Sequence, residues 1–205
     1  AGVFDGRTFD HRGTEQKLAG PSVRRIVETS DGALWFCCDR WPDPGRTGGL
    51  TQLKGGRFRT YGMAEGLPSD HLLNLFEQSS GRIIALTAGG PAVREGEGWI
   101  PLRDEGYPPN DHTWDMQEAP GGLVFAQGGA ATLVQQGGRW RACLRTTDGA
   151  SAPLHVTRDG SVLVASADRQ SVLSISRWDG NAFRQVLNEA PSQGTDSRVI
   201  RQAPD

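Results

Sequence analysis

The hydrophobic residues of this chain fall into short segments of strand length that are separated by turns. Val23–Thr29 mixes apolar and charged positions, whereas Ala33–Cys38 is a continuous apolar run of the kind found in strands buried on both faces. Gly48–Leu53 and Arg57–Tyr61 alternate between the two classes. We therefore predict four strands here, joined by tight turns such as Ser30-Asp31-Gly32.

The same arrangement repeats along the chain. A Gly-x-x-aromatic motif occurs five times, and a second series of glycines follows nearly the same period. His71–Gln78 occupies the slot that holds Val23–Thr29 one repeat earlier, so we predict a strand there rather than a helix. The aromatic residues of the motif are Phe9, Phe58, Trp99, Trp140 and Phe183, and the second series is Gly32, Gly81, Gly122 and Gly160.

Four-stranded units of this length are typical of β-propeller blades. We predict an all-β fold, a β-propeller of four-stranded antiparallel blades with about five blade-like units. The units either close into a five-unit propeller or form an arc of a larger propeller of the seven-bladed type. The predicted boundaries are 1–20 (third and fourth strands alone), 21–68, 69–109, 110–150, 151–196 and 197–205 (a first strand alone).

Composition excludes several classes of function. The net charge of −2 gives no electrostatic basis for binding nucleic acid, and no apolar run approaches the length of a membrane span. We expect neither nucleic acid nor a membrane as a partner. The chain starts at Ala1 without a signal peptide, which we interpret as a mature form or an excised piece.

The residues around the Gly-Leu-Pro-Ser motif resemble a known family. Glu65–Ile84 is similar to the two-component regulator propeller repeat, and the preceding unit matches it through Gly20–Val23 and Ser30–Phe36. The similarity covers residues 1–100. After that the period continues, but the Leu-Pro-Ser motif and the tryptophan of the second strand are lost.

The resemblance implies a ligand-sensing region, without catalysis, of a bacterial two-component signalling protein such as a hybrid histidine kinase. Members of the family are often concerned with carbohydrate uptake, so a saccharide or another small molecule is the expected ligand. The resemblance also implies a periplasmic or extracellular location. A kinase output domain would lie outside this chain, and no cofactor is expected.

One loop breaks the period. The insertion from Asp39 to Thr47 lies between the second and third strands of its unit, and functional residues favour loops on rigid scaffolds. An exposed tryptophan there could stack on a sugar ring while its charged neighbours bind hydroxyl groups. Alternatively, two prolines stiffen the loop and the tryptophan folds onto its own blade. The ligand-binding candidates are Arg40, Trp41, Asp43 and Arg46.

The segments that enter the first strands are expected on the same face of the propeller. They carry Asp70-His71 and Asp111-His112, with Tyr107 nearby. Two carboxylates and two imidazoles could bind a polar ligand or a divalent metal. Alternatively, each aspartate caps its turn through backbone N–H groups. Because metal sites need three or four converging ligands and the other units supply none of the usual kind, we predict no metal.

Cysteine chemistry is not expected either. Cys37 and Cys38 are neighbours on one strand and should point to opposite faces, while Cys143 lies in a different blade. We predict three buried free thiols that act as small apolar residues. The chain also lacks nucleophile-elbow, phosphate-loop and zinc-protease motifs, so we predict no catalytic residue.

Two other classes of function remain open. The propeller could be a scaffold without a small ligand, which forms a homodimer or holds neighbouring blades of a larger receptor. It could also be a lyase or glycosidase. Lyases that resemble this repeat use a histidine and a glutamate near the channel, and the candidates here are His71, His112 and Glu118.

Overall fold

The structure, a computed structural model, describes residues 3–4, 9–10, 18–39, 47–108, 112–129, 131–145, 154–167 and 173–189. The chain divides into two compact units, Ala1–Leu102 and Arg103–Asp205. Each unit contains two four-stranded antiparallel sheets, and the first also contains a two-stranded sheet. Within the described residues the one helical segment is a 3₁₀ turn at Met63–Glu65. The predicted all-β fold of four-stranded antiparallel blades is confirmed.

The strands of each sheet follow one another in chain order. In the first unit they are β1 (Val3–Phe4), β2 (Phe9–Asp10), β3 (Ser22–Glu28), β4 (Leu34–Asp39), β5 (Gly49–Lys54), β6 (Arg57–Tyr61), β7 (Leu72–Glu77), β8 (Ile83–Thr87), β9 (Gly90–Glu95) and β10 (Gly98–Pro101). In the second unit they are β11 (Asp115–Ala119), β12 (Leu123–Gln127), β13 (Ala131–Gln136), β14 (Arg139–Arg145), β15 (Leu154–Val156), β16 (Val162–Ala167), β17 (Leu173–Trp178) and β18 (Phe183–Glu189). The strand predicted at His71–Gln78 is confirmed as β7.

The β3–β4 turn shows why its residue types repeat. Gly32 has a φ of 74°, which a glycine adopts without steric cost. The Asp31 carboxylate accepts hydrogen bonds from the Thr29 hydroxyl at 2.7 Å and from the Ala33 N–H at 3.1 Å. In the β15–β16 turn, the Asp159 carboxylate likewise accepts from the Thr157 hydroxyl and the Ser161 N–H. The turn chemistry is therefore built twice from the same residue types.

Acid should weaken the β3–β4 turn. Hydrogen bonds from Lys54 and Thr29 to the Asp31 carboxylate hold its pKa below the usual range. A lowered pKa in the folded state means that the ionised form adds stability above about pH 4 and that this contribution is lost as the pH falls further. We expect Asp31→Asn to cost less than about 1 kcal/mol at pH 7, since the pair with Lys54 is partly exposed and screened.

Urea unfolding from pH 7 to pH 2 checks this expectation. The difference in unfolding free energy between wild type and Asp31→Asn should shrink below pH 4. The control is Glu95→Gln, which changes an exposed carboxylate of the same unit that has no ion pair among the described residues. A difference that is constant over the whole range would contradict the assigned role of Asp31.

Three aromatic rings form the centre of the first core. Trp35 of β4 lies 5.7 Å from Tyr61 of β6 and 5.9 Å from Trp99 of β10, measured between ring centroids. Trp99 meets Tyr61 edge to face at 6.1 Å. Trp99 is one of the motif aromatics, and it packs on the sheet that precedes its own. The motif thus supplies a side chain that joins neighbouring sheets.

The second unit has a related core. Phe125 of β12 lies 6.0 Å from Phe183, the motif aromatic of β18, and 5.3 Å from Trp178 of β17. Val134 and Val164 are buried beside them. The pairing of a second-strand aromatic with the motif aromatic of the following sheet is therefore found in both units.

In two connecting segments that the structure describes, a glycine approaches the next sheet closely. Gly66, between β6 and β7, has a φ of 97°, and a Cβ there would lie well inside the van der Waals distance of the Trp99 carbonyl oxygen. Gly106, after β10, has a φ of 78° and the same relation to the Trp140 carbonyl. Both positions therefore require glycine for two reasons, the backbone conformation and the lack of space.

β-Bulges recur in the first strands of the first unit. The register shifts at Arg24 in β3 and at Leu73 in β7, so one residue in each strand lacks a partner. A bulge bends its strand and redirects the side chain of the extra residue. In β3 this redirection brings Arg24 to the end of β4.

Candidate functional site

A pocket of about 360 Å³ opens in the first unit, where β4 ends and β7 begins. Its wall comes from four places in the chain: the last residue of β4, the 3₁₀ turn, the segment that enters β7 and the turn between β8 and β9. The lining residues are Asp39, Met63, Ser69, Asp70, His71 and Ala88.

The base of the pocket is a buried carboxylate held by an arginine. Asp39 is buried at the end of β4, and its Oδ2 accepts hydrogen bonds from Nε of Arg24 at 2.8 Å and from an Nη of Arg24 at 2.6 Å. Because Arg24 is the bulge residue of β3, the bulge positions the guanidinium. Hydrogen bonds between two charged groups are the stronger kind, so the position of Asp39 is well fixed.

His71 lies beside this carboxylate and is the more exposed of the two side chains. Its Nε2 lies 3.6 Å from Oδ2 of Asp39, which is beyond hydrogen-bond distance. Nε2 is buried and has no hydrogen-bond partner among the described residues, although the side chain as a whole is partly exposed. The backbone is fixed on both sides, because the His71 N–H donates to Oγ of Ser69 and its carbonyl accepts from the Ala88 N–H.

Asp70 makes the backbone contact that the capping interpretation requires. Its Oδ1 accepts a hydrogen bond from the Met63 N–H at 2.8 Å, which ties the segment before β7 to the 3₁₀ turn. Within the described part of the chain, no hydrogen bond occupies Oδ2 of Asp70. Asp70 therefore supports the loop with one oxygen and presents a second acceptor at the pocket.

Sequence reasoning proposed nine ligand-binding residues, and the structure brings two of them to this pocket, Asp70 and His71. Tyr107 lies in the second unit, where it is buried edge to face against Trp140 at 5.1 Å and its hydroxyl bonds to Thr113. His112 is exposed, with its ring 6.4 Å from Trp114. The other five candidates, Arg40, Trp41, Asp43, Arg46 and Asp111, lie outside the described residues.

No group of three or more histidine, cysteine, aspartate or glutamate side chains suited to a metal ion occurs among the described residues. The three cysteines are free thiols, as predicted. Cys37 and Cys38 are buried and Cys143 is partly buried. Burial raises the pKa of the Cys37 thiol to about 12 and that of the Cys143 thiol to about 12. These thiols stay protonated at neutral pH and are poor nucleophiles.

No protein-family model and no curated protein matches this chain, so the resemblance to the regulator repeat is not confirmed by sequence. Solved structures do match. The extracellular domain of BT4673 from B. thetaiotaomicron, described both as a one-component and as a hybrid two-component system, superposes with a TM-score of 0.63 at 15% and 16% identity over 87% of this chain. The extracellular domain of the hybrid two-component system BT3049 from the same organism gives 0.58 at 14% identity over 82%.

The fold is a β-propeller. A third propeller-type match, the structure of YCF48 bound to the D1 peptide, has a TM-score of 0.56 at 16% identity and covers 88% of this chain and 58% of that one. At such low identities the matches establish the architecture alone. The chain spans about a quarter of the length of the two extracellular domains, 24% and 25%. Among the described residues, no helix of the length and apolar character of a membrane span occurs.

Four residues of the propeller pocket, and its supporting arginine, were not among the sequence candidates. Asp39 is the first residue of the insertion predicted to bind ligand, so the boundary of that loop was a usable signal. The position of the supporting residue Arg24 could have been found from the sequence. In Val23-Arg24-Arg25-Ile26-Val27, two charged residues are followed by two apolar ones, and this break in the alternation indicates a bulge. Met63, Ser69 and Ala88 enter through loop geometry that no local pattern reveals.

Proposed function

We propose that this chain is a ligand-sensing region, without catalysis, of a bacterial extracytoplasmic two-component signalling protein. Its ligand is a small polar molecule of the saccharide type, bound in the pocket above Asp39. The observation that carries the proposal is the pocket itself, where a buried and fixed carboxylate lies below a ring nitrogen without a hydrogen-bond partner. The propeller architecture shared with extracellular domains of two-component systems supports the signalling context.

The chemistry of the wall suits a polyhydroxylated ligand. Oδ2 of Asp70 can accept hydroxyl hydrogens, and the Ser69 hydroxyl accepts the His71 N–H while its own hydrogen remains to be donated. The exposed Met63 side chain and Ala88 add apolar surface for the carbon skeleton. The volume lies at the small end of ligand pockets, in the range of one sugar ring.

The same geometry argues against hydrolysis. A general acid must hold a proton within reach of the leaving group. The Asp39 oxygen nearest His71 instead accepts two N–H groups of Arg24, so it acts as a hydrogen-bond acceptor. This arrangement supports binding and orientation of a ligand rather than proton transfer to it.

A steric block tests the proposal without removing any polar group. We expect at least one member of a monosaccharide panel to raise the melting temperature, because a ligand that binds only the folded state stabilises it by about 2.7 kcal/mol at a hundred times its Kd. Ala88→Leu should fill the pocket and abolish the shift. Ala64→Leu, on the exposed side of the 3₁₀ turn, should keep it. A shift that survives Ala88→Leu would place the ligand elsewhere.

One observation favours a second candidate function, an interaction scaffold. Ile26 and Phe58, on the face of the β3–β6 sheet opposite to Trp35, are 57% and 37% exposed. One repeat later, the residues in the same positions, Leu75 and Trp99, are each 3% exposed because they pack on the preceding sheet. The face of β3–β6 opposite to Trp35 therefore carries side chains of the kind that form an inter-sheet contact, and they are more exposed than their counterparts one repeat later.

Self-association tests the scaffold. We expect the chain to dimerise in light scattering at micromolar concentration and the double variant Ile26→Lys, Phe58→Lys to be monomeric, since exposed apolar faces of this kind mark interaction sites. Ile100→Lys, at a comparably exposed apolar residue of β10, is the matched control and should leave the association unchanged. A wild-type chain that stays monomeric at all concentrations argues against this candidate.

A further inference from the structure

We infer that the pocket selects a ligand with a cationic nitrogen, a small organic ammonium compound such as an amino sugar. The inference rests on the proposed function and adds the charge of the ligand to it. It depends on how the charges of the lining residues are compensated, which differs between the two carboxylates of the pocket.

The first carboxylate is compensated within the protein. Both hydrogen bonds of the Arg24 guanidinium go to Oδ2 of Asp39, so this pair carries no net charge. The second carboxylate, Asp70, has a backbone N–H as its partner, and a backbone dipole does not cancel a full charge. Among the described residues, no lysine or arginine lines the pocket. Leaving His71 aside, the described lining together with Arg24 therefore has one negative charge in excess.

Hydrogen-bonding groups in the pocket point the same way. Among the described lining residues, Oδ2 of Asp70 is an acceptor that no hydrogen bond of the described residues occupies, whereas the side-chain donors are the Ser69 hydroxyl and the His71 ring. An ammonium group carries three donors and no acceptor, so it matches this open carboxylate oxygen. A carboxylate or phosphate ligand would instead meet Asp70 as a like charge, which opposes binding.

The apolar part of the wall limits the rest of the ligand. Met63 has a long unbranched side chain that lies mostly exposed beside Asp70, and the Ala88 methyl group adds apolar surface to the lining. A ring or short chain of CH groups with an ammonium substituent can place carbon on this surface and nitrogen at Asp70. A pocket of about 360 Å³ has room for one such ring but not for a long oligosaccharide.

Three sugars of nearly equal size test the inference by calorimetry at low ionic strength. Glucosamine is cationic, glucose is neutral and glucuronate is anionic, so the order of their affinities reports the sign of the net charge of the pocket. We expect glucosamine to bind about tenfold more tightly than glucose, and glucuronate to bind weakest, since a charge pair near a protein surface contributes on this scale. At 0.5 M salt the difference between glucosamine and glucose should shrink.

The variant Asp70→Asn keeps the size of the side chain and an oxygen that can accept the Met63 N–H. It should lower the affinity for glucosamine about tenfold and that for glucose by a smaller factor, because both sugars lose the Oδ2 acceptor but only glucosamine also loses an opposite charge. Glu97→Gln, which removes an exposed carboxylate away from the pocket, is the matched control and should change neither affinity.

The outcomes separate the two proposals. The charge inference is overturned if glucuronate or glucose binds as tightly as glucosamine and the affinities of Asp70→Asn equal those of the wild type. That result leaves the proposed sensing pocket standing. Failure of all three sugars and of the diamine putrescine to bind overturns both. If putrescine binds and Asp70→Asn weakens its binding, the preference for an ammonium group is supported even when no sugar binds.

Discussion

Trp35→Ala should unfold the first unit at a much lower urea concentration than the wild type requires. Trp35 is fully buried, contacts the rings of Tyr61 and Trp99, and donates its indole N–H to Oγ1 of Thr29 at 3.0 Å. Truncation of a buried tryptophan typically costs about 3 to 5 kcal/mol, through lost burial and the cavity left behind. Urea unfolding followed by tryptophan fluorescence and circular dichroism measures the change.

Phe58→Ala provides the matched comparison. Phe58 is also an aromatic residue of the β3–β6 sheet, but it is partly exposed, so its removal should cost about 1 kcal/mol or less in an isolated chain. Trp35→Phe should fall between the two, because a ring remains while Thr29 loses the indole donor. If Trp35→Ala and Phe58→Ala destabilise the protein equally, the aromatic trio is not the centre of the first core.

Gly66→Ala should be the most destabilising substitution among the described glycines of the first unit. Alanine would need a left-handed backbone conformation and would place its Cβ against the Trp99 carbonyl oxygen. The conformation alone costs about 1 to 3 kcal/mol, and the overlap with backbone adds to it because neither partner is a flexible side chain. We expect a loss of about 3 kcal/mol or more in the free energy of unfolding, measured in urea.

Gly96→Ala separates the two contributions. Gly96 has a φ of 56°, yet a Cβ there would meet no atom within 4 Å. This variant should show the conformational cost alone, about 1 kcal/mol. Equal losses for Gly66→Ala and Gly96→Ala would mean that the connecting segment can move away from Trp99 at no cost.

Periodicity predicted the sheets because each strand carries its own local signal. The alternation in Arg57–Tyr61 and the glycine turns around it depend on neighbouring residues alone, so one sequence was sufficient. The local pattern of His71–Gln78 was weaker, and the strand there was predicted correctly from the position of the segment in the repeat. The pairing of second-strand and motif aromatics, Trp35 with Trp99 and Phe125 with Phe183, follows from the same period.

The pocket could be predicted only in part, since it depends on contacts between distant segments. Asp70 and His71 stood out as a repeated pair, but their partner Asp39 is more than thirty residues away and owes its position to a bulge at Arg24. Trp178 shows the same limit in the second unit. It lies beside Phe125 in the place that Arg94 has beside Trp35, because Arg94 pairs with Trp99 as Trp178 pairs with Phe183.

The close approach of Gly66 to Trp99 has a consequence for exchanging parts between propellers. The segment between β6 and β7 rests on the last strand of the sheet that follows it, and Gly106 does the same before β11–β14. A graft of the β7–β10 sheet would therefore need to begin at Gly62 rather than at Leu72 and to end at Leu102. Only then would the sheet keep the connecting segment that rests on its last strand. The division of the chain between Leu102 and Arg103 obeys this rule, because it leaves Gly106 in the same unit as Trp140.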